Sequence, residues 1–332
     1  MIASGERDPH AAPHDRVELT PPDIEPYRQG NTSVPYVTTL DSGLAGPHAM
    51  INALMHGNEI SGAIAVDHLL QRGIRPTRGR LTLAFANTTA FGMFSRERPY
   101  ESRFIDEDLN RLWDDDVLSD HKRSVERLRA RALRPIIDTV DHLLDLHSMQ
   151  SGTRPILLCG PSPKGRDFAR RLGGPAAIVA DVGHADGVRL RDYADFNHAA
   201  SPRNALLAEC GAHWTSRTAV TAIEMAYRFL VAVDMIPPAL AAPHMTERVA
   251  PDHWVEVTDR VVPQNPDASF VKTFHSLETI DTAGTLIARD GARDIRTPYD
   301  DCVLIMPARQ LTPGQTAVRL GRKRRFEDHH AS

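Results

Sequence analysis

Short apolar runs of β-forming residues alternate with longer segments of helical period over the first two-thirds of this chain, and this alternation constrains the fold most. "HAMINALM" reads as a buried strand, and "EISGAIAVDHLLQRG" as a helix closed by Gly73. "RLTLAFAN" is a strand, and "SVERLRARALRPIID" a helix in which Pro135 marks a break or kink. "VDHLLDLH" and "PILLCG" follow as strands, "KGRDFARRLGG" as a glycine-capped helix and "ALLAECG" as another strand. "RTAVTAIEMAYRFLVAVDMI" then predicts a long amphipathic helix. Strands exchanging with helices predict an α/β fold, a mixed and mostly parallel sheet flanked by helices. At "MIPPALAAPH", residues 235–244, the composition shifts to short β-like segments such as "HWVEVTDRVV", "GTLIAR", "CVLIMP" and "TAVRLG". The expected organisation is an extended arm over residues 1–32, an α/β catalytic domain over 33–240 and a small all-β domain, a barrel or sandwich, over 241–332.

The bulk properties narrow the function classes. With 332 residues, 41% hydrophobic and 25% charged, the chain is long enough for one large and one small domain. A net charge of −4 argues against a nucleic-acid binder. The one basic run, Arg322 to Arg325, is expected to be a solvated tail. Three scattered cysteines (Cys159, Cys210 and Cys302) do not form a disulfide framework, so a reducing compartment fits. The N-terminal stretch lacks the apolar segment of a signal peptide, and no apolar run approaches the roughly 18 residues of a membrane helix. The expectation is a cytoplasmic protein, and a homo-oligomer is compatible with the sequence.

The chemistry sits where strands end. His56 and Glu59 are three residues apart at a strand-to-helix turn, and in open α/β sheets that edge collects ligands. H-x-x-E alone is weak, because a surface histidine beside a helix-start glutamate has the same spacing. His147 leaves a second apolar strand, and two histidines with one carboxylate form a tetrahedral zinc set with one position open. Asp145, two residues earlier on the same face, is either an orienting partner of a ligand or a capping carboxylate. Glu209 in "LLAECGAHW" is isolated in an apolar strand, where desolvation raises a carboxyl pKa toward the range of a general base. Glu224 competes with it but lies in the amphipathic helix, where a solvent-facing role is expected. Arg103, Asn110 and Arg111 offer bidentate and orienting contacts to a carboxylate, against the alternative of a charged surface loop.

Four motifs, H-G-N-E at 56–59, R-F-I-D-E-D-L-N-R at 103–111, D-L-H-S at 145–148 and E-C-G at 209–211, resemble in their order the succinylglutamate desuccinylase and aspartoacylase family, a branch of the zinc carboxypeptidase fold. The resemblance spans roughly residues 35–320. It implies one zinc ion per chain on His56, Glu59 and His147, with Glu209 as general base and acid. It also implies that Arg103, Asn110 and Arg111 hold the substrate's carboxylate and carbonyl, with Arg103 polarising the scissile carbonyl. In that family the stretch 187–204 contacts the substrate, which makes Arg191 and Tyr193 candidates. The implied substrate is an N-acyl amino acid, and the implied reaction is hydrolysis of its amide. A carboxypeptidase acting on short peptides and a non-catalytic metal- or metabolite-binding relative are the competing readings. His213 and Trp214 depart from the named enzymes, and His121, His142, His184 and His198 have no ligand spacing.

Overall fold

The computed structural model describes residues 16–150, 154–183, 186–247 and 251–326. The first fifteen residues of the expected arm, and His184, lie outside these. The α/β part runs β1 (Val37–Asp41), β2 (His48–Ala53), α1 (Ile60–Gln71), β3 (Arg80–Phe85), α2 (Thr88–Phe91), α3 (Asp115–Ser119) and α4 (Val125–Ile137). It continues with β4 (His142–Met149), β5 (Ile156–Cys159), α5 (Pro163–Leu172), β6 (Ala177–Ala180), β7 (Asn204–Ala212) and α6 (Ser216–Ala232). After α7 (Pro238–Ala241) come β8 (His253–Val261), β9 (Ser269–Phe270), β10 (Glu278–Ile280), β11 (Leu286–Asp290), β12 (Arg293–Arg296), β13 (Cys302–Ile305) and β14 (Val318–Arg325).

Among the described residues eleven strands form one mixed sheet, in the order β1-β3-β2-β4-β7-β5-β6-β8-β14-β13-β10. β3, β2, β4 and β7 are parallel, so all four strands point the same way, whereas β5 joins β7 antiparallel. Every residue of β2 is buried, as expected of a parallel strand covered on both faces. One apolar core lies under α1, α5 and α6, with Val66, Leu69, Phe168 and Phe229 among its members. The opposite core, under α4, gathers Leu133, Ile137, Leu143 and Trp113. α1 sits close on the sheet at Gly62, where an added Cβ would lie 3.1 Å from Leu146. Gly73 ends that helix region in the left-handed conformation, at φ 62°.

Several expectations change in detail. Pro135 does not break α4, which runs to Ile137, because a proline in the last turn removes little of the helix ladder. β1 and β6 are not among the strands expected from the sequence; β6 is four residues long and follows the Gly173–Gly174–Pro175 stretch. The C-terminal segments do not close into a barrel. β8, β14, β13 and β10 extend the main sheet, and only β12-β11-β9 form a separate antiparallel sheet over a core that includes Phe274, Ile287 and Leu304. Arg322–Arg325 is not a tail but the end of β14, paired residue by residue with β8 from Glu256 to His253. There the Arg324 guanidinium meets Glu256 at 2.7 Å, and that of Arg322 lies 3.6 Å from the centre of the Tyr299 ring.

Candidate active site

Three parallel strands end at one edge. β2 and β4 are aligned through Asn52 and Asp145, and β4 and β7 through His147 and Glu209. Beyond β2 the chain turns sharply: Leu54 takes a left-handed φ of 58°, a conformation that costs a non-glycine residue roughly 1 kcal/mol. Gly57 then passes so close to the backbone of Ala90, Phe91 and Ser102 that a Cβ would sit about 2.5 Å from each. Glu59 occupies the N-cap position of α1, but its side chain does not cap the helix. It reaches instead to both histidines: Oε1 is 2.7 Å from His56 Nδ1, and Oε2 is 2.9 Å from His147 Nδ1. β7 leaves the sheet through Trp214, also left-handed, whose indole N–H donates to the Asn58 carbonyl at 2.8 Å. The two strand exits are thereby tied together.

His56, Glu59 and His147 form a group of buried donors whose ligand atoms all lie within 4.8 Å of one another, so they could hold a metal ion. Both imidazoles turn Nδ1 to the centre and Nε2 to an outer carboxylate, His147 to Asp145 at 2.8 Å and His56 to Asp108 at 2.9 Å. Asp145 in turn accepts from Asn52 Nδ2 at 2.7 Å. Carboxylates behind metal-facing histidines fix ring orientation and raise ligand basicity. Burial works against charge on Glu59, yet the two histidines outweigh it and hold its carboxyl well below the usual range. Burial also disfavours a charged His147, but Asp145 and Glu59 raise its pKa well above the ordinary value. Their surroundings compensate positive charge at the point where a cation would bind. The donor set therefore fits a divalent metal.

Glu209 differs from these groups. It is 8% exposed, and its Oε2 has no hydrogen-bond partner among the described residues. Burial pushes its carboxyl up to about 8, against the opposing pull of His147 and Arg103. Glu224, the competing acid, is neither solvent-facing nor in the site, because it is buried in an ion pair with Arg228 at 2.7 Å.

Arg103 lies 3.3 Å from Glu59 and 3.2 Å from Asp108. Burial would raise the Asp108 carboxyl, but His56, Arg103 and Arg111 hold it far below the usual range. A cavity of about 780 Å³ opens over the site and brings together His56, Glu59, Arg103, Asn110, Arg111, His147 and Glu209. That volume suits a small molecule. Asn110 Oδ1 accepts from the Leu190 amide at 3.0 Å, which pins its side chain in the wall. His213 also lines the cavity, with Nδ1 2.7 Å from Ser148 Oγ. The far rim is C-terminal, formed by Ser276, the stretch from Met306 to Ala308, the stretch from Pro313 to Thr316, and Arg319.

Arg191 and Tyr193 do not reach this cavity. Arg191 is fully buried against Asp192 at 2.6 Å, and Tyr193 packs on Trp113 with its hydroxyl 2.7 Å from Asp138. Arg189, two residues earlier, does line the cavity; it is held by Asp181 and Asp192, while its Nη2 lacks a partner among the described residues. Sequence reasoning missed Arg189, Arg319 and Asp108. The signal for Asp108 was present in the D-E-D run but reads equally as surface charge.

Residues 45–200 match the family model described as the succinylglutamate desuccinylase/aspartoacylase catalytic domain. That stretch of the chain is similar to the catalytic domain of this family. Solved structures share the fold of this family. Succinylglutamate desuccinylase from Vibrio cholerae superposes with a TM-score of 0.66 at 19% identity, over 89% of this chain and 88% of that one. The enzyme from Chromobacterium violaceum gives 0.63 at 16% identity, over 89% and 90%. The ectoine utilization protein EutE (DoeB) from Ruegeria pomeroyi, solved with product bound, gives 0.58 at 16% identity, over 86% and 88%. No curated protein sequence matches the chain. The family model stops short of Glu209 and of the C-terminal rim, so their place in the site comes from geometry alone. Among the described residues no helix is long and apolar enough to cross a membrane.

Proposed function

We propose that this chain is a zinc-dependent hydrolase that cleaves the amide bond of an N-acyl amino acid. The observation that carries the reading is Glu209, a buried carboxyl with one oxygen unpartnered among the described residues, facing the same cavity as the His56, Glu59 and His147 donors. Two histidines and a carboxylate are the ligand pattern of catalytic rather than structural zinc. Zinc bound by these residues would supply Lewis acidity and lower the pKa of a nearby water to about 7. Glu209 takes the proton from the attacking water and later gives it to the departing amine, so one carboxyl serves both halves of the reaction. Water oxygen adds to the acyl carbon, the C–N bond breaks, and the products are a carboxylate and a free amino acid. Arg103 faces the developing oxyanion, and Arg111 with Asn110 holds the free carboxylate of the substrate.

In this reading residues 33–240 carry the chemistry, and residues 241–332 restrict the cavity to small substrates. All three cysteines are buried and free, which supports the cytoplasm as the site of action. The test is release of amino acid from a panel of N-acetyl, N-succinyl and longer N-acyl amino acids by zinc-loaded protein, with and without chelator. Chelator-sensitive release from any member supports the proposal and names the acyl group. Cleavage of dipeptides alone would make the chain a peptidase, and no release from either class would leave a metal-binding relative.

A further inference from the structure

The loop that carries Arg103 and Asp108 is held from behind by a carboxyl group that, among the described residues, neither lines the cavity nor pairs with a cation. Glu126, in the first turn of α4, is fully buried. Its Oε1 accepts from the Ile105 amide at 2.7 Å and from Asn87 Nδ2 at 3.0 Å. Its Oε2 accepts from the amides of Asp106 at 3.1 Å and Glu107 at 3.3 Å. These three amides lie between Arg103 and Asp108 in the chain. Among the described residues its partners are four N–H donors, and the N-terminus of α4 adds a favourable dipole.

Asn87 extends the same fastening to the other side of the site. Its Oδ1 accepts from the Ala90 amide at 3.3 Å, capping α2. The backbone of Ala90 and Phe91 is the surface against which Gly57 of the H-G-N-E turn packs. Glu126 therefore joins the loop bearing Arg103 and Asp108 to the support of the turn bearing His56 and Glu59. We propose that Glu126 is a positioning residue, acting through the loop of residues 103–108 to hold Arg103 against Glu59 and Asp108 against His56.

The loop has other attachments to α4, so loss of Glu126 does not simply release it. The Asp106 carboxylate accepts from the Val125 amide at 2.8 Å, and Arg127 Nε donates to Glu107 at 2.7 Å. These bonds hold the outer rim of the loop, whereas Glu126 sets its inner backbone. A glutamine at this position keeps one acceptor oxygen and turns an NH2 group toward N–H donors. Two of the four bonds are then lost and replaced by repulsion. A misplacement of about 1 Å in a group that orients substrate can cost on the order of 100-fold in rate.

This inference rests on the deacylase reading for its catalytic consequence, so the experiment has two arms. In the first, Glu126→Gln and Arg103→Ala are compared singly and together on the N-acyl amino acid that the wild type hydrolyses. Glu126→Gln is expected to lower kcat/KM about 10- to 100-fold, and the double variant to match Arg103→Ala within about 2-fold, because residues that act as one unit are not additive. In the second arm zinc affinity is measured by competition with a chromogenic chelator. Glu126→Gln is expected to weaken zinc binding several-fold, with no further loss when added to Asp108→Asn. Additive effects in both cycles would show a generally structural role and overturn the proposal. If no N-acyl amino acid is hydrolysed, the function fails, but the zinc cycle still decides Glu126. If Glu126→Gln does not fold, Glu126→Asp, which withdraws the oxygens by one methylene, runs through the same cycles, and non-additive loss again supports the role while additive loss overturns it.

Discussion

Glu209, near the end of β7, and Asp290, at the end of β11, are buried carboxyl groups at strand ends, and their surroundings push them in opposite directions. Asp290 is 2% exposed and accepts from the amides of Gln264 and Asn265 and from Asn265 Nδ2 at 2.8 Å, with Arg293 also at 2.8 Å. Hydrogen bonds led by that of Asn265 bring its carboxyl down to about 2. Glu209 has an oxygen without a partner among the described residues and is driven by burial up to about 8. The C-terminal sheet uses its acid to fasten a turn, with both carboxylate oxygens engaged. The parallel edge leaves its acid poorly compensated beside a cavity, which disfavours the charged form and stores proton affinity. Satisfied acids hold this fold together; the under-satisfied one is where proton transfer is expected.

The sharpest way to break that contrast is at the metal donors. His147→Ala removes one of the three proposed ligands and should release zinc and abolish turnover, as read by metal analysis of purified protein; unchanged zinc content would show a different donor set. Next in size, Glu209→Gln should keep zinc and fold while turnover falls roughly 10²- to 10⁴-fold, the range typical of a lost general acid-base. Retained activity would remove Glu209 from the mechanism. Arg111→Ala should act mainly on KM, raising it on the order of 10-fold or more with a smaller change in kcat, because a charge-assisted contact of roughly 1.5–3 kcal/mol is lost. A profile identical to wild type would demote Arg111 to a wall residue.

The smallest effects are on stability, and their signs differ. Asp290 has a lowered pKa, so its contribution is present above the ordinary value of 3.8 and is lost as pH falls toward about 2. Glu209 has a raised pKa, so in chelated protein the folded state loses stability as pH rises from the ordinary 4.5 toward 8. Urea midpoints across pH should therefore show Asp290→Asn removing the acid-side loss and Glu209→Gln removing the neutral-side loss. Two variants shifting in the same direction at the same pH would end the comparison.

Much of this was legible in the chain itself. β2, β4 and β7 carry long apolar runs, and His56, His147 and Glu209 stand out because polar residues interrupt those runs at their exits. The loop residues were harder to place. Arg191 and Tyr193 were expected in the site, yet the cavity receives Arg189, because a short 3-10 turn at Leu190–Asp192 sends neighbouring side chains in different directions. Glu224 reads as exposed by helical period, but the chain returning at Thr246 covers it, with Thr246 Oγ1 donating to its carboxyl at 2.6 Å. Nothing local in "SVERLR" distinguishes Glu126 from a surface glutamate, since its partners are amides about twenty residues earlier.

The sequence by itself determined the alternation of strand and helix, and the residue types that end the central strands. Periodicity and strand-end chemistry are local, and the hydrophobic effect reads them directly. Only the tertiary structure decided that three strand exits share one edge, that C-terminal strands continue the same sheet and rim the cavity, and which acids are satisfied and which are not. Those outcomes depend on contacts between residues far apart in the chain, and on burial, which no short window of sequence contains.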